Sequence, residues 1–291
     1  MKKILILSGK GGTGKTTIAS AFIEFSKSSL FADCDVDAPN LDLIVKVNGE
    51  EKKNIFYGMP RAKIDAHKCI KCGKCLENCR FGAVKKLDNG YIIDKSICEG
   101  CGVCLLKCPV KAINLEEYKS GDLIEYIGND KIFSTAKLKM GSENSGKLVS
   151  KVKESIFNNE DKYNGISIID GSPGIGCPVI SSITGVDFVL VVAEPSVSGI
   201  SDLKRIISTV KNFNIDLAVC INKYDVNIEK TKEIEAFCLE NRIECVGKIS
   251  YDEIIPKSIN ELTNIANIDC NVTNEILEVY KNTIKVLNKK L

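Results

Sequence analysis

The chain has 291 residues, 44% hydrophobic and 27% charged, with 40 Lys and Arg against 38 Asp and Glu. That length suits one large core or two domains, and the near balance of charge gives no general nucleic-acid signal. No segment approaches the ~18 apolar residues of a membrane span, and no secretory leader is visible, so a cytoplasmic protein is expected whose fourteen clustered cysteines serve metals, not disulfides.

Ile4-Leu5-Ile6-Leu7 reads as a buried strand and Ile18-Ala19-Ser20-Ala21-Phe22-Ile23 as the start of a helix. Between them lies Ser8-Gly9-Lys10-Gly11-Gly12-Thr13-Gly14-Lys15-Thr16-Thr17, in the strand–loop–helix context that a phosphate-binding loop requires. Gly9, Gly11, Gly12 and Gly14 let backbone N–H groups turn toward a phosphate. The helix N-terminus adds partial positive charge. Lys15 is placed to reach the β- and γ-phosphates, and the Thr16 hydroxyl to ligate Mg²⁺. Thr13 and Thr17 complete the nucleotide-contacting stretch. Lys10 comes too early in the loop to duplicate Lys15; it reads either as a solvated lysine or as a second cation for phosphate.

Leu30-Phe31-Ala32-Asp33 is a short strand that runs out into Asp33, Asp35 and Asp37, carboxylates suited to Mg²⁺ waters and an attacking water. Cys34 reads as a core residue. Composition changes at Gly58-Met59-Pro60. Cys69, Cys72, Cys75 and Cys79 then follow the spacing C-x2-C-x2-C-x3-C, and Cys98, Cys101, Cys104 and Cys108 repeat it 29 residues later. The tails Phe81-Gly82-Ala83-Val84 and Val110-Lys111-Ala112-Ile113 repeat as well, so the segment is an internal duplication. Zinc is the rival metal, but this is not its usual spacing. Arg80 stands where Pro109 stands in the second copy, and His67, the sole histidine, reads as a surface residue.

Beyond Leu115 the pattern is β-like, with a hairpin expected around Gly128-Asn129-Asp130. Gly141 to Lys147 reads as a cap, or a second anion-facing loop, before a helix over 148–157. Ile166-Ser167-Ile168-Ile169 is a buried strand ending in Asp170, where an Mg²⁺-linked carboxylate belongs, and Gly171 and Gly174 permit a backbone approach to a γ-phosphate. Cys177 follows. Strands over 187–193 and 216–221 lead to Glu194-Pro195-Ser196 and to Asn222-Lys223-Tyr224-Asp225, an N-K-x-D of the kind that reads guanine. A final helix near 272–291 carries one stripe of Ile276, Val279, Tyr280, Ile284 and Leu287. It suits core packing better than a membrane surface with Lys281, Lys285, Lys289 and Lys290 outside.

The Lys-Gly-Gly-x-Gly-Lys-Thr loop, the aspartates and Asp170-Gly171-Ser172-Pro173-Gly174 together resemble the MinD/Mrp and nitrogenase-iron-protein ATPases. The paired cysteine motifs resemble a bacterial two-cluster ferredoxin. The first resemblance implies a doubly wound, mostly parallel α/β sheet that binds Mg²⁺ and ATP, with GTP the alternative. It implies that Lys10 crosses a dimer interface to the partner's nucleotide, that Asp35 activates water and Asp33 lies in the metal's outer shell, and that Asn222 contacts adenine. The offset of Cys177 from Asp170 is similar to that of a cluster-ligating cysteine in the iron protein. The second resemblance implies two [4Fe–4S] clusters, one on Cys69, Cys72, Cys75 and Cys108 and one on Cys79, Cys98, Cys101 and Cys104, because the fourth cysteine of each run serves the other cluster.

The expected organisation is an ATPase domain over 1–58 and 119–291, interrupted by an α+β ferredoxin-like domain over 59–118. Expected partners are a second copy or a related ATPase, and a redox or metallocofactor-maturation protein, without nucleic acid or stable membrane insertion. Two functions fit: an ATP-gated electron carrier, or a carrier or maturation factor for Fe–S or another metallocofactor. A partitioning ATPase is disfavoured by the cysteine insert.

Overall fold

The computed structural model describes residues 1–289, so Lys290 and Leu291 of the expected last helix lie outside the described residues. The chain forms two compact units. One comprises Met1–Lys53, Leu123–Lys137 and the chain from Ser145 onward; the other comprises Asn54–Asp122 and Leu138–Asn144.

The chain's large sheet has its strands hydrogen-bonded in the order Glu244–Ile249, Asp216–Asn222, Phe188–Ala193, Lys2–Ser8, Ile166–Asp170, Leu30–Asp33, Ile132–Leu138, Lys119–Ile127, Glu50–Tyr57, and those from Glu244–Ile249 to Leu30–Asp33 belong wholly to the first unit. The pairings from Glu244–Ile249 across to Ile132–Leu138 are all parallel. Parallel strands covered on both faces read as unbroken apolar runs, not as alternation. That is why Ile4 to Leu7 and Phe188 to Val191 are wholly buried. The doubly wound, mostly parallel architecture expected from the sequence is the one observed.

Helices pack on this sheet. Phe22, on the helix Lys15–Ser26, meets Tyr280 edge-on at 5.1 Å, and Tyr280 belongs to the helix Asn271–Lys289. Ile276, Val279 and Leu287 of that helix join the same core, so its apolar stripe packs inward. Among the described residues no helix is long and apolar enough to cross a membrane. The helix expected over 148–157 begins earlier and runs Ser145–Phe157, so the end of the Ser/Asn/Gly run forms its first turn.

One buried lysine was not singled out by its sequence. Lys153, 3% exposed, donates to the carbonyl oxygens of Ser181 (2.8 Å), Ser182 (2.7 Å) and Thr184, at the end of the helix Cys177–Ile183. These are the carbonyls a helix leaves without partners, so Lys153 is a cap supplied from another helix. Burial pulls its pKa down to about 8. Lys153→Met should fill the same space but leave three carbonyls unpaired, and is expected to cost about 1–3 kcal/mol. Urea unfolding of parent and variant measures the difference; equal midpoints would show that water replaces the ammonium freely.

The second unit is small. It holds two antiparallel pairs, Arg61–Ile64 with Ile113–Glu116 and Val84–Leu87 with Gly90–Ile93, and two short helices, Lys74–Glu77 and Val103–Lys107. Its core consists of Ala62, Cys75, Ala83, Val84, Ile93, Cys98 and Ile113, with Cys79, Cys104 and Cys108 packed against them. An apolar core this slight is of the kind that small domains reinforce with metal or disulfide links.

Candidate functional site

The nucleotide-binding candidates gather at the C-terminal ends of the first unit's parallel strands. The register sets Ile6 beside Asp170 and Asp170 beside Asp33, so the glycine loop and two carboxylates meet at one edge. There a cavity of about 450 Å³ is lined by Lys10 to Ile18, Asp35, Pro173, Asn222 and the segment Ile249 to Asp252. Asp37 is exposed and does not line it.

Lys15 and Asp170 are both buried, with Nζ 2.6 Å from Oδ1, and the Thr16 hydroxyl donates to Oδ2 at 2.7 Å. Asp33, fully buried, accepts the backbone N–H groups of Asp35 (2.9 Å), Asn40 (3.0 Å) and Leu41 (3.1 Å). Burial, and then the Asp170 charge, push the Asp33 carboxyl up to about 7, with Lys15 and those N–H groups pulling the other way. Burial raises Asp35 as well. Burial disfavours the Lys15 ammonium, yet the charges of Asp170, Asp33 and Asp35 outweigh it and raise its pKa. Two buried carboxylates and a partly buried third thus share one lysine. The site is short of positive charge, and its Thr16–Asp170 oxygens fit a hard divalent cation such as Mg²⁺.

Other sequence candidates have definite places here. Gly14 has φ +88°, and a Cβ on it would lie 2.3 Å from Asn222 Nδ2, so the position requires glycine. The amide of Asn222 donates to the Thr13 carbonyl (2.7 Å) and accepts from the Lys223 N–H (3.1 Å). Asn222, expected to contact adenine, lines the cavity and also ties down the phosphate loop. Asp225 accepts the Tyr251 N–H at 2.7 Å and braces a loop. The Gly174 N–H donates to the Ser8 carbonyl at 3.1 Å, which ties this turn to the strand end beside the glycine loop. Cys34 is buried, which pushes its thiol up to about 12, and Cys177 is exposed at the first turn of its helix.

Lys10 has partners that its sequence position did not reveal. Its Nζ lies 2.9 Å from Glu194 Oε2 and 3.4 Å from the Ser196 hydroxyl. Glu194 also takes Lys223 at 3.3 Å. Burial raises Glu194, but these two lysines outweigh that and hold it below the usual carboxylate range. The signal for this contact was the charged residue closing the strand Phe188–Ala193, where a ligand-facing group belongs in a parallel sheet.

In the second unit two cavities line up with the cysteine sets. One is bordered by Cys69, Cys72, Cys75 and Cys108, the other by Cys79, Cys98, Cys101 and Cys104. Each takes three cysteines from one run and one from the other, the exchange the ferredoxin resemblance implies. Backbone N–H groups address these sulfurs: Ala112 donates to Cys108 Sγ (3.2 Å) and Ala62 to Cys98 Sγ (3.5 Å). Burial raises Cys79, but the N–H groups of Ala83, Phe81, Val84 and Gly82 outweigh it and lower the thiol. No three His, Cys, Asp or Glu side chains among the described residues converge on a single ion. Four cysteines bordering one cavity are the donor set that a [4Fe–4S] group requires.

Sheet, glycine loop and strand-end carboxylates define a nucleotide-binding protein of the phosphate-loop class. The model of the CobQ/CobB/MinD/ParA nucleotide binding domain matches residues 4–265, and the chain belongs to this family. An uncharacterised protein of Methanocaldococcus jannaschii is 34% identical over 284 residues, 96% of this chain and 95% of that protein. The pyruvate synthase subunit PorD of Methanothermobacter marburgensis is 38% identical over 82 residues, 28% of this chain and 98% of that subunit. The septum site-determining protein MinD of Pyrococcus horikoshii, complexed with Mg-ADP, aligns with TM-score 0.59 over 100% of this chain and 98% of that one, at 16% identity, a likeness of fold.

Proposed function

We propose that this protein is an Mg²⁺-dependent ATPase that carries two [4Fe–4S] clusters and couples nucleotide-driven dimer closure to electron transfer toward a partner protein. The observation that carries this reading is one chain holding both a phosphate loop with paired carboxylates and two cavities, each bordered by four cysteines. In this reading Gly9 to Thr17 bind the phosphates, and Thr16, Asp170 and Asp33 face the cation. Asp35, lining the cavity, orients and deprotonates the attacking water. Lys10 leaves Glu194 to reach the partner subunit's nucleotide. The clusters, when bound, supply one-electron acceptance and donation. The sequence match to PorD supports the cluster assignment. The second reading, carriage of a metallocofactor at a dimer interface, is favoured by the exposed thiol of Cys177.

Anaerobic purification followed by iron analysis and EPR tests the main reading. About eight iron atoms per chain and a reducible low-temperature signal are expected. The reading fails on two zinc ions and no signal.

A further inference from the structure

The duplication supplies its own control, because each position around one cysteine set has a counterpart 29 residues away around the other. Around the set Cys69, Cys72, Cys75 and Cys108 stand Lys71, Lys74, Lys107 and Lys111. Their counterparts are Gly100, Val103, Asn78 and Gly82, none charged. All four lysines are exposed, and none makes an ion pair among the described residues. Elsewhere in the unit Lys63 and Lys95 pair with Glu116 and Lys85 with Asp94, while the exposed Lys86 is in no ion pair among the described residues.

Apolar residues follow the same asymmetry. Leu106 is 80% exposed and Ile70 60%, and their counterparts are Glu77 and Glu99. At these places one set is apolar and basic and the other acidic or neutral; the second set keeps one exposed cation, Arg80, and the exposed Phe81 beside Cys79, against the first set's four lysines. Two of the lysines also occupy awkward backbone. Lys71 has φ 58° and Lys111 φ 51°, in the left-handed region where their counterparts Gly100 (φ 62°) and Gly82 (φ 67°) are glycines. A side chain kept where glycine costs less points to a use for that side chain.

We propose that this face is the docking surface for a small acidic one-electron carrier of the ferredoxin type, making the Cys69/Cys72/Cys75/Cys108 centre the protein's electron port. The proposal rests on the cluster reading above. Four unpaired cations would steer and orient an acidic carrier, and Ile70 and Leu106 would give a small dry contact, as short-lived redox complexes use. One electron crosses: the carrier's reduced cluster is oxidised as this centre is reduced, and no proton or bond is exchanged.

The test uses the full chain, purified anaerobically, and a purified acidic two-cluster ferredoxin as probe. Binding is measured by calorimetry across a salt series. The parent should bind, weakening steeply as salt rises. The variant Lys71→Gln, Lys74→Gln, Lys107→Gln, Lys111→Gln should bind at least tenfold more weakly with a flatter salt dependence, while Lys85→Gln, Lys86→Gln binds like the parent. Iron content and EPR of each protein are recorded first. Missing clusters would overturn the function reading, whereas full clusters with equal binding by parent and variant would overturn only the docking proposal. It is also overturned if the parent ignores the ferredoxin, or if the same lysines serve anionic vesicles or DNA instead. Should the fourfold variant lose iron, the pair Lys71→Gln, Lys111→Gln carries the test, with at least a threefold loss expected and parent-like binding overturning the proposal.

Discussion

Lys15→Ala is expected to abolish measurable ATP binding and to slow phosphate release at least about 10³-fold. The size of the effect follows from the surroundings. Lys15 is 6% exposed, lines the cavity and pairs with the buried Asp170, with the Asp33 charge close by. A triphosphate adds further negative charge to a site already short of cations. With Lys15 present, its ammonium can turn from Asp170 to the phosphates, and Thr16 and Asp170 would hold the Mg²⁺ that neutralises them. Without it, the carboxylates repel the phosphates directly. The same deletion leaves Asp170 as a buried charge without its partner, which typically costs about 3–5 kcal/mol in stability. Folding must therefore be checked beside binding. Asp35→Asn makes the useful comparison: it should retain ATP and lose roughly 10²–10⁴-fold in turnover. Titration with a fluorescent ATP analogue and a phosphate-release assay measure both variants. If Lys15→Ala binds within threefold of the parent, the phosphate assignment of this loop is wrong.

Much of the site was legible because its signals are local. The glycine loop sits between an apolar strand and a helix within twenty residues, and each cysteine run is complete in eleven. Parallel strands announce themselves as unbroken apolar runs, so Ile4 to Leu7 and Phe188 to Val191 could be placed by composition alone. What stayed hidden depends on contacts across long separations. Lys10 and Glu194 are 184 positions apart, and only the pairing of Lys2–Ser8 with Phe188–Ala193 brings them together. Asn222 looked like a base-reading residue from its motif. Its contact with the Thr13 carbonyl across 209 positions, and the room that Gly14 leaves for it, are described by no spacing rule. Lys153 looked like any charged residue of an amphipathic helix. Its burial is decided by the carbonyls of a helix starting more than twenty residues later. The strand order, with Ile166–Asp170 inserted between Lys2–Ser8 and Leu30–Asp33, likewise needed the folded chain.

Lys10→Ala should separate binding from closure. In the single chain Lys10 is held by Glu194 at 2.9 Å, with about a third of its side chain still exposed. An ion pair that open is worth about 0–1 kcal/mol. A γ-phosphate presented by a second subunit, at an interface that excludes water, offers a far stronger partner. Glu194 would then serve as a resting place that holds Lys10 near its working position without binding it tightly. On this account Lys10→Ala binds ATP within about threefold of the parent, since Lys15 and the loop N–H groups remain. It should fail to dimerise, and its turnover should fall roughly 10³–10⁵-fold, the range for a cation supplied in trans. Glu194→Gln frees Lys10 and should dimerise at least as readily as the parent. Sedimentation with ATP, each variant combined with Asp35→Asn to prevent hydrolysis, distinguishes these outcomes. If the parent background stays monomeric with ATP, or Lys10→Ala dimerises equally well, Lys10 is an ordinary loop lysine and its contact with Glu194 is only local pairing.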